Sequence, residues 1–336
     1  MWPFNGKFLV SLSYCVPSFV LYFLLIVMLA RNWKDFNSAF FRIVVADFCF
    51  NLLTYLNSMI TLRLPNGTCR HCLLAPLFDS LGNDNPPTFL VFNYFLHFGN
   101  AYFQYSMVTL MSLNRATSIF FYLINEKIWR IAFPATIGSM LLIAVFFTRT
   151  ILLESSPYYA YNKALDMYSI TSDTVLVTPS LQNVTSSSAR LQNILPAYWN
   201  VIRFMAVCVV SSVLLNSISV VKLKMMEQKL SRVERNLLFA TIASSIVQSL
   251  AAANTFLLQL DLTRTTVWGQ AAQLMLPFSS DFLTISQPFI LIFLSSKVRR
   301  EMVRTYLPPV CRKVAPMLTK TNGAQSGSSQ LRNTRF

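Results

Sequence analysis

Three sets of polar side chains recur at helical spacing inside otherwise apolar stretches of this chain. Asp47, Asn51, Thr54 and Ser58 follow an i, i+4, i+7, i+11 spacing that places them on one helix face. Asn93, His97, Asn100 and Gln104 repeat the pattern, and Arg115 falls near the same face further on. Gln273, Ser280, Thr284 and Gln287 form a third stripe, with Asp281 beside it and Pro277 and Pro288 able to bend the helix. Such groups hydrogen-bond either a bound molecule or a neighbouring helix. His97 suits a ligand-facing donor or acceptor and equally a satisfied packing contact. Asp281 suits the counter-ion of a cationic ligand and equally a partner on another helix. Interhelical bonds are worth roughly 0.6 kcal/mol per pair. Four amide or imidazole groups on one face exceed what packing requires, so the Asn93 to Gln104 stripe reads as a binding surface.

The elements that must position these groups are membrane helices. Of 336 residues, 54% are hydrophobic and 12% charged, against roughly a quarter charged in a soluble domain. A helix needs about 20 mostly apolar residues to cross the hydrocarbon core. Seven segments reach that length: Phe8 to Ala30, Phe40 to Leu62, Phe89 to Leu113, Ile131 to Leu153, Tyr198 to Val221, Asn236 to Leu260 and Gln270 to Leu294. The first is longer than the roughly 7 to 15 apolar residues of a signal-peptide core, so it reads as a retained helix. A charge near the bilayer centre costs about 2.5 to 3.5 kcal/mol. The polar stripes are therefore expected to face the bundle interior.

Lysine and arginine set the orientation. Most of the 28 basic residues lie in segments that are cytoplasmic if the N-terminus is outside, while the outer segments hold only Lys7, Arg63, Arg70, Lys163, Arg190 and Arg264. Two N-x-S/T sequons, at Asn66 and Asn183, fall in the outer segments as glycosylation acceptors. The expected fold is an all-α integral membrane protein, a seven-transmembrane helix bundle with the N-terminus outside and the C-terminus cytoplasmic. The long outer loop from Glu154 to Pro196 either caps the bundle or is partly disordered.

The net charge of +15 suggests nucleic acid, but the basic residues sit between apolar runs rather than on one polar face, so no nucleic-acid partner is expected. No phosphate loop, dinucleotide fingerprint or zinc-protease motif is found, so neither enzyme chemistry nor a cofactor is expected. Cys15, Cys49 and Cys208 lie in apolar runs as small hydrophobes. Cys69 and Cys72, in the first outer loop, bond to each other or stay free, and a metal site with His71 is disfavoured. After the last span, Val298, Met302, Val303 and Tyr306 alternate with Lys297, Arg299, Arg300 and Arg304. This pattern suits an amphipathic helix on anionic lipid, with each basic residue worth about 1 kcal/mol. Cys311 is a candidate for acylation. The chain thus divides into a seven-transmembrane domain (1–296), a juxtamembrane helix (297–312) and a disordered cytoplasmic tail (313–336).

Leu113-Asn114-Arg115, followed by Phe120-Phe121-Tyr122 and Ile128-Trp129, and Leu294-Ser295-Ser296-Lys297-Val298-Arg299 after the last span, resemble the nematode serpentine receptors of class gamma. The resemblance implies a G-protein-coupled chemosensory receptor in the plasma membrane of a sensory cell. Such a receptor binds a small environmental molecule and signals through a heterotrimeric G protein. Arg115 matches the arginine that meets the G protein in rhodopsin-like receptors. Asn114 stands where those receptors carry an acid, and Ala116 where they carry tyrosine. Asp47, in Val45-Ala46-Asp47-Phe48, resembles the second-helix aspartate that holds a sodium ion. Arg115, Asn114 and Asp47 are therefore the coupling candidates. The disulfide that commonly ties the third helix to the second outer loop cannot form, since no cysteine lies between Glu154 and Pro196.

Helical phase and depth select Phe95, His97, Asn100, Gln104, Gln248 and Asp281 to line a ligand site among the outer halves of helices three, five, six and seven. The alternative is a polytopic transporter or channel, which requires polar residues through the inner halves and internal duplication. The inner half of the third span holds Met107, Val108, Leu110 and Met111, a poor path for water. A scaffolding protein without a ligand is a third reading. It would tolerate replacement of His97, Asn100 and Arg115 together.

Overall fold

The computed structural model describes residues 6–81, 87–163, 165–172, 184–225, 232–260 and 266–306. Seven long helices occur among them: α1 (Gly6–Arg31), α2 (Ala39–Ser58), α3 (Thr88–Phe120), α4 (Asn125–Glu154), α5 (Val184–Met225), α6 (Arg232–Leu260) and α7 (Val267–Leu294). A shorter helix, α8 (Ser296–Tyr306), follows. Six of the seven are long and apolar enough to cross a membrane by composition. The exception, α3, is 33 residues long, and its asparagines, His97, Gln104 and Arg115 lower its mean hydropathy. Its central position explains this composition, since α3 packs on α2, α4, α5 and α6. A helix surrounded by protein can carry polar groups that lipid would not accept.

Local chemistry sets the ends. The backbone N–H of Ala39 opens α2, and the Glu126 carboxylate of α4 accepts from it at 3.0 and 3.2 Å. That places a negative charge on the positive end of the helix dipole. Arg42 closes the same group at 3.2 Å from Glu126. Past Ser58, α2 widens into a π-turn over Met59–Arg63 and ends in Leu64–Asn66. Pro65 has no N–H and its ring clashes with the carbonyl four residues back. The Leu64 N–H bonds Met59 O instead, the i→i−5 pattern of a π-turn. The apolar run suggests a span that stops at Leu62 with Arg63 in the outer loop. The structure corrects this: the π-turn holds Arg63 inside the bundle, 4% exposed.

The long loop after α4 is a cap over its described part. Strands β1 (Pro157–Asn162) and β2 (Met167–Ser172) pair antiparallel, with Pro157 opposite Ser172 and Asn162 opposite Met167. Asp166 turns the chain at φ 46°, a left-handed conformation that aspartate tolerates better than most residues. Tyr159 and Tyr168 are buried against Phe78, Ala75 and Leu90. Their hydroxyls donate to Ile60 O at 3.0 Å and Asp79 Oδ1 at 2.8 Å. Burial pushes both phenols up to about 12, so they stay protonated donors near neutral pH. Cys69 and Cys72 form a disulfide. The Arg70 N–H beside it donates to Asp166 at 3.3 Å, which fastens the loop to the hairpin.

At the opposite end the core is apolar. Leu25, Met28, Phe36, Ile43, Met107 and Val298 are at most 1% exposed and pack as one cluster. Trp129 Nε1 donates to Thr117 at 2.8 Å, tying the start of α4 to the end of α3. Large side chains left exposed, such as Leu142 at 72% and Val207 at 63%, belong to the surface that meets lipid.

Candidate functional site

Beneath the hairpin, Arg63 of the π-turn forms an ion pair with Asp281 of α7. Both are buried, at 4% and 2% exposed. Arg63 also donates to Ser58 Oγ and, at 3.1 Å, to Tyr55 O, and its guanidinium lies 4.0 Å from the Tyr55 ring centre. The Asp281 carboxylate accepts from the Tyr14 hydroxyl and lies 3.4 Å from Ser11 Oγ. One charge pair thus joins α1, α2 and α7. Desolvating two charges is expensive, and removing either partner costs about 3–5 kcal/mol because the other is left unpaired.

Space adjoins the pair on two sides. Toward the hairpin is a pocket of about 30 Å³, lined by Phe8, Ser11, Arg63, Gly67, Met167 and Gln273 among others. Gln273 Oε1 is buried there without a hydrogen-bond partner. Gly67 is required for close approach: a Cβ would stand 2.8 Å from Phe8 Cβ and 3.0 Å from Arg63 O. On the other side, a cleft of about 900 Å³ runs between α1, α6 and α7, with Tyr14 and Asp281 in its wall and Phe293 and Leu294 at its far end.

One turn further along α7, the polar stripes meet. Gln104 Nε2 of α3 donates to Asn51 Oδ1 and Thr284 Oγ1, each at 3.1 Å. Asn51 donates to Asp47 at 2.9 Å, and Tyr22 donates to Thr284 O. Four helices, α1, α2, α3 and α7, share this network. A second network joins α3, α5 and α6. Asn216 Nδ2 donates to Ser112 at 3.2 Å and Ser245 at 2.8 Å, and Thr241 donates to Asn216 Oδ1 at 3.2 Å. Ser244 bonds Gln287 at 2.9 Å, which connects α6 to α7. At the end away from the hairpin, Arg115 bonds Asn114 Oδ1 at 2.9 Å and stacks 4.2 Å over the Phe40 ring.

The structure therefore distributes the residues selected from the sequence. Gln104 and Asp47 meet through Asn51, and Asp281 lies one turn of α7 away from Thr284. Asn100 is buried on α3, and His97 is half-buried with Nδ1 3.4 Å from Thr61 Oγ1. Phe95 stacks on Phe92 with ring centres 6.3 Å apart. Gln248 is fully buried and donates to Tyr105 O at 2.9 Å, so it ties α6 to α3. Of the six ligand candidates, only Asp281 lines either space beside the ion pair. Asn66 is half-buried at the pocket, and Thr68 of its sequon is fully buried. Asn183, Cys311 and the tail lie outside the described residues. Sequence reasoning missed Arg63, Tyr14, Tyr22 and Asn216. A charge one residue past an apolar run was the available signal for Arg63, since Asp281 needed a cationic partner.

A ring of long helices around a buried polar core defines a multi-pass serpentine membrane protein. Residues 8–302 match the Srg family chemoreceptor family, and the chain belongs to that family. It is similar to serpentine receptor class gamma-31 of Caenorhabditis elegans, 28% identical over 301 residues that cover 88% of this chain and 90% of the relative. Serpentine receptor class gamma-47 of the same organism is 23% identical over 288 residues, with 85% and 86% covered.

Proposed function

We propose that this chain is a chemosensory receptor that binds a small external molecule within its bundle and signals through a heterotrimeric G protein. The hairpin end faces outward, and α8 and the tail lie in the cytoplasm, in accord with the bias of lysine and arginine. Residues 1–296 form the receptor domain, 297–312 the juxtamembrane segment and 313–336 the tail. Asn66 and Asn183 are then on the side where glycans are added. The plasma membrane of a sensory cell is the matching location.

The observation that carries this reading is the buried Arg63–Asp281 pair beneath the hairpin. A molecule that supplies hydrogen bonds to either partner competes with the other, and any difference in its affinity for the paired and opened states shifts their populations. Movement of Asp281 carries α7, where Pro277 and Pro288 each remove a backbone hydrogen bond. Thr284 passes it to Gln104 of α3, whose last two turns carry Asn114 and Arg115, where the G protein docks. Phe95, His97 and Asn100 lie on α3 nearer the hairpin than Gln104, while Asp47 and Gln248 hold the helices in register. The apolar packing around Met107 and Met111 supports a switch rather than a path for solute.

The test is agonist-driven G-protein activation by the full chain, challenged with mixtures of small odorants and compared with Arg115→Ala at equal surface level. Activation by wild type that is lost in the variant supports the reading. Solute flux without G-protein activation would replace it with the transporter.

A further inference from the structure

The 900 Å³ cleft between α1, α6 and α7 has a length that the receptor reading does not use. Asp281 is the fifteenth of the 28 residues of α7, so the upper end of the cleft lies near the bilayer midplane. Leu294, the last residue of α7, marks its lower end. Thirteen residues of helix rise about 20 Å, against about 15 Å for half the hydrocarbon core. The cleft therefore spans one leaflet, the one on the side of α8. Its wall is almost wholly apolar between the ends, with Ile246, Phe282, Phe289 and Phe293 prominent. Ser286 Oγ is buried in it without a partner.

Past the foot of the cleft the chain is basic, with Arg299, Arg300 and Arg304 on α8. Arg299 donates to the carbonyl of Phe293 and lies 3.4 Å from that of Ile292, so its guanidinium sits at the last turn of α7. Arg300 and Arg304, on the same helix, are about three-quarters exposed, each 3.7 Å from the buried Glu301. One carboxylate does not neutralise three guanidinium groups. Lys297 points away, donating to Asp35 O with its ammonium 4.6 Å from the Phe36 ring centre.

We propose that this cleft is a binding site for an anionic phospholipid, with one acyl chain along α7 and the headgroup on Arg299, Arg300 and Arg304. The chemistry fits each part. An alkyl chain of leaflet length fills an apolar slot of the same length. A phosphate with a further negative group gains from clustered arginines, which bind such oxygens through paired N–H donors. A neutral zwitterionic lipid fills the slot equally well but gains less at the foot. The chain terminus ends beside the Arg63–Asp281 pair, so an occupied cleft packs α1 against α7. The proposal is independent of any external ligand or G protein.

The experiment uses the full chain in nanodiscs of phosphatidylcholine containing a trace of phosphatidylserine with a diazirine at the end of one acyl chain. The comparison is phosphatidylcholine carrying the same group. The serine probe is expected to label peptides containing Ala243 to Val247 and Asp281 to Ser286, several-fold more than the choline probe. Combined Arg299→Gln, Arg300→Gln and Arg304→Gln should bring the two probes level, and Ala243→Trp should remove labelling of the cleft by both. Equal labelling by the two probes in wild type would overturn the proposal. So would label spread evenly over other lipid-facing residues such as Leu141 and Leu142, or serine labelling unchanged in the triple arginine variant, whose exposed substitutions leave the bundle core untouched.

Discussion

Arg63 and Asp281, 218 positions apart in the chain, form one buried ion pair beneath the hairpin. A π-turn delivers the arginine and the middle of α7 delivers the aspartate, so the pair reports the relative position of two helices. A buried pair is weak evidence for stability, because a well-packed apolar pair of similar volume often does as well or better. In the proposed function its value is as a contact that a polar ligand exchanges with.

Single substitutions at this pair should be severe. Arg63→Met alone leaves Asp281 uncompensated and is expected to destabilise the bundle by about 3–5 kcal/mol. Arg63→Met with Asp281→Leu should recover most of that loss. Thermal unfolding of the purified chain in detergent measures both, and a double variant less stable than either single one would count against the pairing.

Gln104 bridges two helices through one amide. Replacing it with leucine leaves the Asn51 carbonyl oxygen without its donor, at a cost of about 1–3 kcal/mol. Gln104→Leu should therefore fold with a lowered unfolding temperature and transmit weakly, giving a reduced maximal G-protein response. A full response at wild-type efficacy would remove Gln104 from the path.

Gly67 lies where backbone and Phe8 approach. A methyl group there meets Phe8 at 2.8 Å, and overpacking costs typically 1–3 kcal/mol. Gly67→Ala is expected to displace the N-terminal turn of α1 and lower stability by that order. An unchanged unfolding temperature would show that Phe8 gives way freely.

Orientation has its own test. If the hairpin end is outside, glycosidase treatment of the expressed chain should increase its gel mobility, and the shift should disappear in Asn66→Gln combined with Asn183→Gln. An epitope at the C-terminus should be reached by antibody only after permeabilisation. A tail epitope open on intact cells would invert the topology.

Much of the bundle was legible because apolar length and helical phase are local properties. The stripe from Asp47 to Ser58 and the stripe through Asn100 and Gln104 both lie inward, as their spacing requires. The Arg63 partnership was not legible, because phase gives a face but not which distant helix lies opposite. The π-turn compounds this, since apolar length ends the helix at Leu62 while Pro65 carries the chain one widened turn further. The hairpin hid in a long polar loop. The alternation of Tyr159 with Tyr161 and of Tyr168 with Ile170 was its local sign, and packing on Phe78 makes it visible. The cysteine pair was undecided because spacing permits a bond without requiring it.

The most direct measurement is ligand-independent and mixture-driven G-protein turnover by Arg63→Met with Asp281→Leu, beside wild type at equal surface expression. Loss of the latch should raise the basal rate several-fold and abolish the response to a mixture that activates wild type. A double variant with wild-type basal rate and an undiminished response would contradict the claim that the Arg63–Asp281 pair is where the ligand acts.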